Sequence, residues 1–296
     1  MDKLKVLVYG ATGSQAAPVV QELLKNGHTP VVFTRDSKKA QAHAEAGAEI
    51  FEGDMLNSGD CLRASQAVDA VSLLVPFFMQ NPDRAGMNAV NAAREAGVKR
   101  IVWNTSGPIA PVKTGNPAQD VRINVKEAIM GSGLPWVILE PTVYAENLLG
   151  PWTAPFVKAK GQVAYPTPET FKHGWLPSQD IGKAVVAALQ KPELVGNHFT
   201  ISGIDVVNGQ ELAAIFSEAL GRQITYYAMP PSEFGGILDQ AFGPGAGAAA
   251  ATEYQKIWDG EVKPVMHAEM DETLDRLGVE FTPLVQWVKQ FKPAFS

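Results

Sequence analysis

Short apolar runs alternate with stretches of helical spacing through the first half of the chain. The runs Val6–Tyr9, Thr29–Thr34, Glu49–Glu52, Ala70–Val75, Arg100–Asn104 and Trp136–Leu139 have the length and texture of strands. Behind the first of them Val19, Val20, Leu23 and Leu24 recur on one helical face. Strands that alternate with helices predict βαβ units, and therefore an α/β fold built on a doubly wound parallel sheet. In such sheets ligands lie outside the carboxyl ends of the strands, which directs attention to the residues that follow each run.

The texture changes after Leu149. Pro151, Pro155, Pro166 and Pro168 interrupt the chain, while Trp152, Phe156, Tyr165 and Trp175 supply large apolar surfaces. This reads as a substrate-side lobe rather than more sheet. The expected organisation is a nucleotide-binding domain over residues 1–150 and a smaller, discontinuous C-terminal α/β lobe over 151–296, part of it returning to the main sheet. Asp180 is placed to cap a helix running to about Leu189, and Asn208 to cap another over Gly209–Leu220. Gly243-Pro244-Gly245-Ala246-Gly247, followed by four alanines, reads as a mobile loop or a helix start, and either a lid or a plain surface connection fits it.

The first run feeds directly into Gly10-Ala11-Thr12-Gly13-Ser14-Gln15-Ala16. A strand-to-helix turn that approaches a pyrophosphate needs small residues at Gly10 and Gly13, a small Ala16 lets the helix pack on the sheet, and a helix N-terminus offers free N–H groups to an anion. The pattern defines a Rossmann-type dinucleotide site with residues 10–15 against the phosphates. At the end of the second run stands Arg35, with Lys38 and Lys39 behind it. A guanidinium can pair with a 2′-phosphate and stack on adenine, so the expected cofactor is NADP(H) rather than NAD(H). Asp36 would repel that phosphate unless it caps the helix starting at Ser37, the reading preferred here. Asp54 and Met55, after the third run, suit the adenine edge, with an ordinary turn role for Asp54 as the alternative. Val75, Pro76 and Phe77, with Phe78, follow the fourth run and would wall the cleft, core packing being the alternative.

Composition narrows the class. A chain of 296 residues with 46% hydrophobic content can bury a large core, and a formal net charge of −6 argues against a broad nucleic-acid-binding face. The single cysteine, Cys61, cannot form an internal disulfide, which suits a reducing cytoplasmic setting. The first strand begins too early for a signal peptide, and no apolar run reaches bilayer length. The histidines at 28, 43, 173, 198 and 267 have no metal-ligand spacing, so no metal is expected.

Together these pieces resemble the NmrA-like group of atypical short-chain dehydrogenases/reductases. The likeness rests on Gly10–Ala16, Thr34-Arg35-Asp36, the stretch from Gly131 to Pro141, and Tyr144-Ala145-Glu146-Asn147-Leu148. Asp180-Ile181-Gly182 and the stretch Leu212 to Arg222 add to it. The resemblance implies NADP(H) in an extended cleft, with the nicotinamide near the Pro141 to Asn147 loop, where Tyr144 and Asn147 would contact it.

The wider superfamily uses a tyrosine four residues before a lysine for proton exchange. This chain has no tyrosine between Tyr9 and Tyr144. Counting back from Gly133-Leu134-Pro135 puts Arg122 at the lysine position and Ala118 at the tyrosine position, with Lys126 one turn further on the same face. Arginine can hold a ribose hydroxyl or substrate oxygen but is a poor general acid. The bland alternative is a surface pair of Arg122 or Lys126 with Glu127 or Asp120. Thr105, Ser106, Tyr144 and His173 are further polar candidates, each with a packing alternative. A quinone or enone needs only hydride at an electron-poor carbon and a proton from water. The expected function is therefore an NADPH-dependent oxidoreductase acting on an apolar conjugated or aromatic small molecule. A non-enzymatic NADP(H)-sensing regulator is the alternative, and a protein partner or homodimer is compatible with both.

Overall fold

The computed structural model describes residues 3–76, 79–115 and 117–296; Phe77 and Phe78 lie outside the described residues. The chain divides into two compact units. The first comprises residues up to Pro141, Ser178–Ile201 and Asp271–Glu280, and the second Thr142–Pro177, Ser202–Met270 and Phe281–Ser296.

The first unit is built on seven parallel strands: β1 (Lys5–Tyr9), β2 (Thr29–Thr34), β3 (Glu49–Glu52), β4 (Ala70–Leu73), β5 (Arg100–Asn104), β6 (Trp136–Pro141) and β7 (Asn197–Ile201). Their order is β7-β6-β5-β4-β1-β2-β3. β1 is paired on both edges, Val8 standing opposite Val32 of β2 and Ser72 of β4. A parallel strand buried on both faces must be apolar throughout, and Val6, Leu7, Val8 and Tyr9 are all fully buried. The helix Ala17–Lys25 opens with Pro18 in its first turn, where no intrahelical N–H is needed, and buries Val19, Val20 and Leu23.

Several boundaries move. The fourth strand ends at Leu73 rather than Val75, because Pro76 has no N–H for a ladder and biases the residue before it. The sixth runs on to Pro141, since β7 supplies a partner there, Ile201 opposite Pro141. Asp180 is not a cap. The helix begins two residues earlier as Ser178–Gln190, and the Asp180 carboxylate lies buried in its first turn, 2.7 Å from the Lys183 ammonium.

The second unit is α/β, as the smaller C-terminal lobe was expected to be, and short strands run through residues 143–176 where the proline-broken texture read as lobe rather than sheet. Strands 143–144, 173–176 and 206–207 form one small sheet, and Gln162–Tyr165 pairs in parallel with Thr225–Ala228. These strands are only two to four residues long, so their periodicity was too brief to read. The helix Gly209–Leu220 is capped by Asn208, whose side chain accepts from the Glu211 N–H while Glu211 reaches back to the Asn208 N–H. The glycine-alanine segment resolves into a helix over Ala248–Trp258. Leu148, Val157, Val163, Trp175, Phe216, Trp287 and Phe295 anchor the core of this unit.

Glycine matters sharply at one helix contact. A Cβ on Gly182 would stand 2.9 Å from the carbonyl oxygen of Pro18, so the helix 178–190 seats against backbone. Gly182→Ala should therefore destabilise by about 1–2 kcal/mol in urea titrations, the overpacking cost outweighing the helix-propensity gain. Gly236, exposed in the helix Pro231–Phe242 with open space at its Cβ position, should give the opposite sign, about 0.5–1 kcal/mol of stabilisation as Gly236→Ala. Equal signs for the two substitutions would refute this reading of the contact.

Candidate active site

The strand order reverses between β1 and β4, with β2 and β3 on one side and β5, β6 and β7 on the other. The crevice at that point is bordered by the turn after β1. Gly10 has φ +75°, a conformation that favours glycine, and a Cβ there would stand 2.9 Å from Leu74 Cδ2, so that the leucine side chain would have to shift. The Gly13 N–H donates to the Gly10 carbonyl at 2.9 Å and the Ala17 N–H to the Gly13 carbonyl at 3.0 Å, folding the turn onto the helix start. Ala11 and Ala16 are buried, Thr12, Gly13 and Ser14 are exposed, and Gln15 is half-buried with an Oε1 that has no partner among the described residues. His43 Nε2 lies 2.9 Å from the Ala11 carbonyl oxygen, bracing the turn from the helix Gln41–Glu45; sequence spacing gave no sign of this long-range support.

The crevice encloses about 160 Å³ and brings together Gly10, Thr12, Arg35, Asp54, Met55 and Pro76 of the expected cofactor residues, with Lys39 and Met79 beside them. Arg35 and Lys39 are exposed on its rim. The Asp36 carboxylate accepts from the Lys38 N–H at 3.0 Å and caps the short helix Ser37–Ala40. Asp54 makes the turn considered for it and also lines the crevice. Its carboxylate accepts from the Leu56 N–H at 2.9 Å. Buried Met55 presents an apolar surface there. Val75 is fully buried beside Gly86 and is not among the lining residues, although Pro76 next to it is. The residues present fit a dinucleotide: a side-chain-free approach at Gly10, an exposed turn leading into a helix, and two cations at the far strand end.

A second cluster occupies the carboxyl ends of β5 and β6, with His198 reaching it from the start of β7. After β5, Ser106 has φ +58°, held by its own N–H donating to Asn104 Oδ1 at 2.9 Å, while the Thr105 hydroxyl donates to the Gly107 carbonyl at 2.7 Å. Arg122, on the helix Pro117–Gly131, donates from Nε to the Thr105 carbonyl at 2.9 Å. Burial lowers its pKa while the Glu140 charge works the other way, and the guanidinium remains a donor only. Glu127 pairs with Lys113 at 2.9 Å, and Asp120 accepts from the Thr114 and Gly115 N–H groups, so the surface partners considered for Arg122 have their own engagements.

Glu140 went unassigned from sequence, yet it organises this end of the sheet. Its carboxylate accepts from the Ile109 N–H at 3.0 Å and lies 2.6 Å from His198 Nε2. Burial pushes the Glu140 pKa up, but the His198 and Ile109 hydrogen bonds and the nearby charges of His198 and Lys126 more than offset it, leaving the group below its ordinary value. Lys126 therefore shares Glu140 with Arg122. A strand-end glutamate facing a histidine 58 positions away has no local signature.

Tyr144 and Asn147 belong to the second unit. Tyr144 is buried at the end of strand 143–144 and leads into the turn Ala145–Leu149, which carries Asn147. The Asn147 side chain hydrogen-bonds the Tyr165 hydroxyl, which in turn lies 3.0 Å from the Tyr254 hydroxyl. His173 is buried and stacked on Trp175 with centroids 4.7 Å apart; burial, with the nearby His267 charge, pushes its pKa down to about 3. That imidazole is neutral and packed, in line with a structural part.

Residues 2–277 match the NmrA-like family, and the chain belongs to it. An NAD(P)H azoreductase of Xenophilus azovorans is 31% identical over 230 residues, 76% of this chain and 77% of that protein. Triphenylmethane reductase of Citrobacter sp. is similar in structure with a TM-score of 0.80 at 22% identity, over 97% of this chain and 98% of that one. NmrA, a negative transcriptional regulator solved in complex with NADP, gives a TM-score of 0.80 at 17% identity, covering 99% and 96%. At these identities the two structural likenesses establish the shared fold.

The lowered Glu140 pKa has a signed consequence. Its stabilising contribution is fully present above the ordinary carboxyl pKa of roughly 4.3 and is lost as pH falls through the depressed value. Glu140→Gln should be less stable than the parent by about 1–2 kcal/mol near pH 5.5 in urea titrations, and the gap should shrink toward pH 3. A gap that does not change with pH would contradict the assignment.

Proposed function

We propose that the chain is an NADP(H)-dependent oxidoreductase that passes hydride to an apolar conjugated or aromatic acceptor of the quinone or enone kind, without the tyrosine-lysine pair. The observation that carries the cofactor choice is the state of the charges after β2. Asp36 lines the crevice with Arg35 and Lys39, its carboxylate accepting from the Lys38 N–H, and no second carboxylate stands between the two cations in the chain. A 2′-phosphate there meets two cations and an acid already engaged by backbone. Gly10 admits the pyrophosphate close to backbone, and residues 12–15 present the start of the helix to it. When bound, the nicotinamide supplies the hydride, and the protein need only hold the acceptor against it.

The acceptor class follows from what the chain's residues cannot do. Arg122 commits its Nε to the Thr105 carbonyl and carries no dissociable proton at working pH, and position 118 is alanine. A simple ketone would demand a protein acid; a quinone or activated enone takes its proton from water after hydride arrives. The names of the relatives point the same way, since an azoreductase and a triphenylmethane reductase both act on conjugated aromatic dyes by name. The same absence of an acid supports an NADP(H)-sensing reading, which the structural likeness to a named regulator also suits.

Two experiments test the proposal. Arg35→Ala should weaken NADPH binding by roughly tenfold while leaving NADH binding within about twofold, as expected for one exposed charge-assisted contact; equal effects on both nucleotides would reject the phosphate assignment. Purified chain should oxidise NADPH with at least one member of a panel of quinones, enones and azo compounds. Tight NADPH binding with no turnover on any of them would favour the sensor.

A further inference from the structure

We infer that the second unit carries a binding site for an aromatic anion, a planar apolar molecule bearing one carboxylate or sulfonate, in a cavity between the segments 168–172 and 257–267. The cavity holds about 310 Å³, at the lower end of the volumes of small-molecule sites. Phe171, Ile257 and Val262 supply apolar wall, and Lys172, Lys263 and His267 supply the polar groups. None of the described residues that line it is acidic, although the chain as a whole is negative by six charges. Glu169, Asp259 and Glu261 lie within these segments but are not among the lining residues.

The walls are fixed rather than loose. The Phe171 N–H donates to the Pro168 carbonyl at 2.9 Å, closing one wall into a turn. On the other side Trp258 Nε1 donates to the Pro166 carbonyl at 3.0 Å, the Glu261 N–H to the Lys256 carbonyl at 2.9 Å, and the Gly174 N–H to the Met266 carbonyl at 2.8 Å. Behind Phe171 stands His173, its ring centroid 5.1 Å from that of Phe171 and its Nε2 buried with no partner among the described residues. Burial keeps this imidazole neutral, so the positive charge of the cavity comes from the lysines. Lys172 and Lys263 make no ion pair among the described residues. Two exposed ammonium groups beside an aromatic wall, with no acid among the described lining residues, select a ligand whose charge is negative and whose body is flat and apolar. The cavity shares no lining residue with the dinucleotide crevice, and the proposal does not rest on the oxidoreductase reading.

The test is calorimetric titration of the full chain, without added nucleotide, with 2-naphthoate, its neutral isostere 2-naphthamide, and acetate. The expected result is saturable binding of naphthoate, at least tenfold tighter than either of the others and weakened by salt. In the double variant Lys172→Gln/Lys263→Gln the preference for naphthoate over naphthamide should disappear, while Lys25→Gln keeps it and both variants retain the parental melting temperature. No saturable naphthoate binding up to millimolar concentration, equal affinity for all three ligands, or a preference that survives the double substitution would each overturn the proposal. A parallel titration with a reducible aromatic carboxylate in the presence of NADPH separates the sources of such a ligand. Turnover whose KM rises in the double variant marks an acceptor; binding without turnover marks an effector.

Discussion

The site depends on the packing of one residue without a side chain. β1 is paired on both edges and buried on both faces from Val6 to Tyr9, and it stops at Gly10, whose left-handed backbone lies against Leu74. Any other residue would combine unfavourable backbone geometry, costing roughly 1–2 kcal/mol, with a steric conflict at the point where the strand order reverses. Because β1 and β4 diverge there, the turn 10–16 and the residues after β4 border an opening at the carboxyl edge. The charges after β2, the apolar surface of Met55 and the brace from His43 are all arranged around that opening.

Electrostatic selectivity arises by allocation rather than by excess. Two carboxylates stand close to the crevice, and both accept backbone N–H groups within their own turns, Asp36 from Lys38 and Asp54 from Leu56. Their hydrogen-bonding capacity is thereby partly spent, and Arg35 and Lys39 set the character of the rim. A different allocation operates at the carboxyl ends of β5 and β6, where Glu140 is shared among His198, the Ile109 N–H and the fields of Lys126 and Arg122. There the cation holds a strained turn in place through Thr105 rather than offering a proton.

What the sequence made legible was whatever is written locally. The glycine turn, the Asp36 cap and the Asn208–Glu211 capping box each span a few residues, and each forms as the pattern predicts. Most strands of the sheet were legible for the same reason, since a fully buried strand must be apolar along its length. The misses share a different cause. Asp180 has the look of a cap, but the helix starts earlier and the acid is buried against Lys183. Glu140 with His198, and His43 with Ala11, are contacts made only when distant segments meet.

The most direct test of the account is a crystal structure of the chain with NADPH. The account predicts the 2′-phosphate within hydrogen-bond distance of Arg35 and Lys39, the adenine against Met55, and the pyrophosphate over the 10–15 turn. A 2′-phosphate directed into solvent, or a nucleotide bound away from the Gly10 turn, would contradict it.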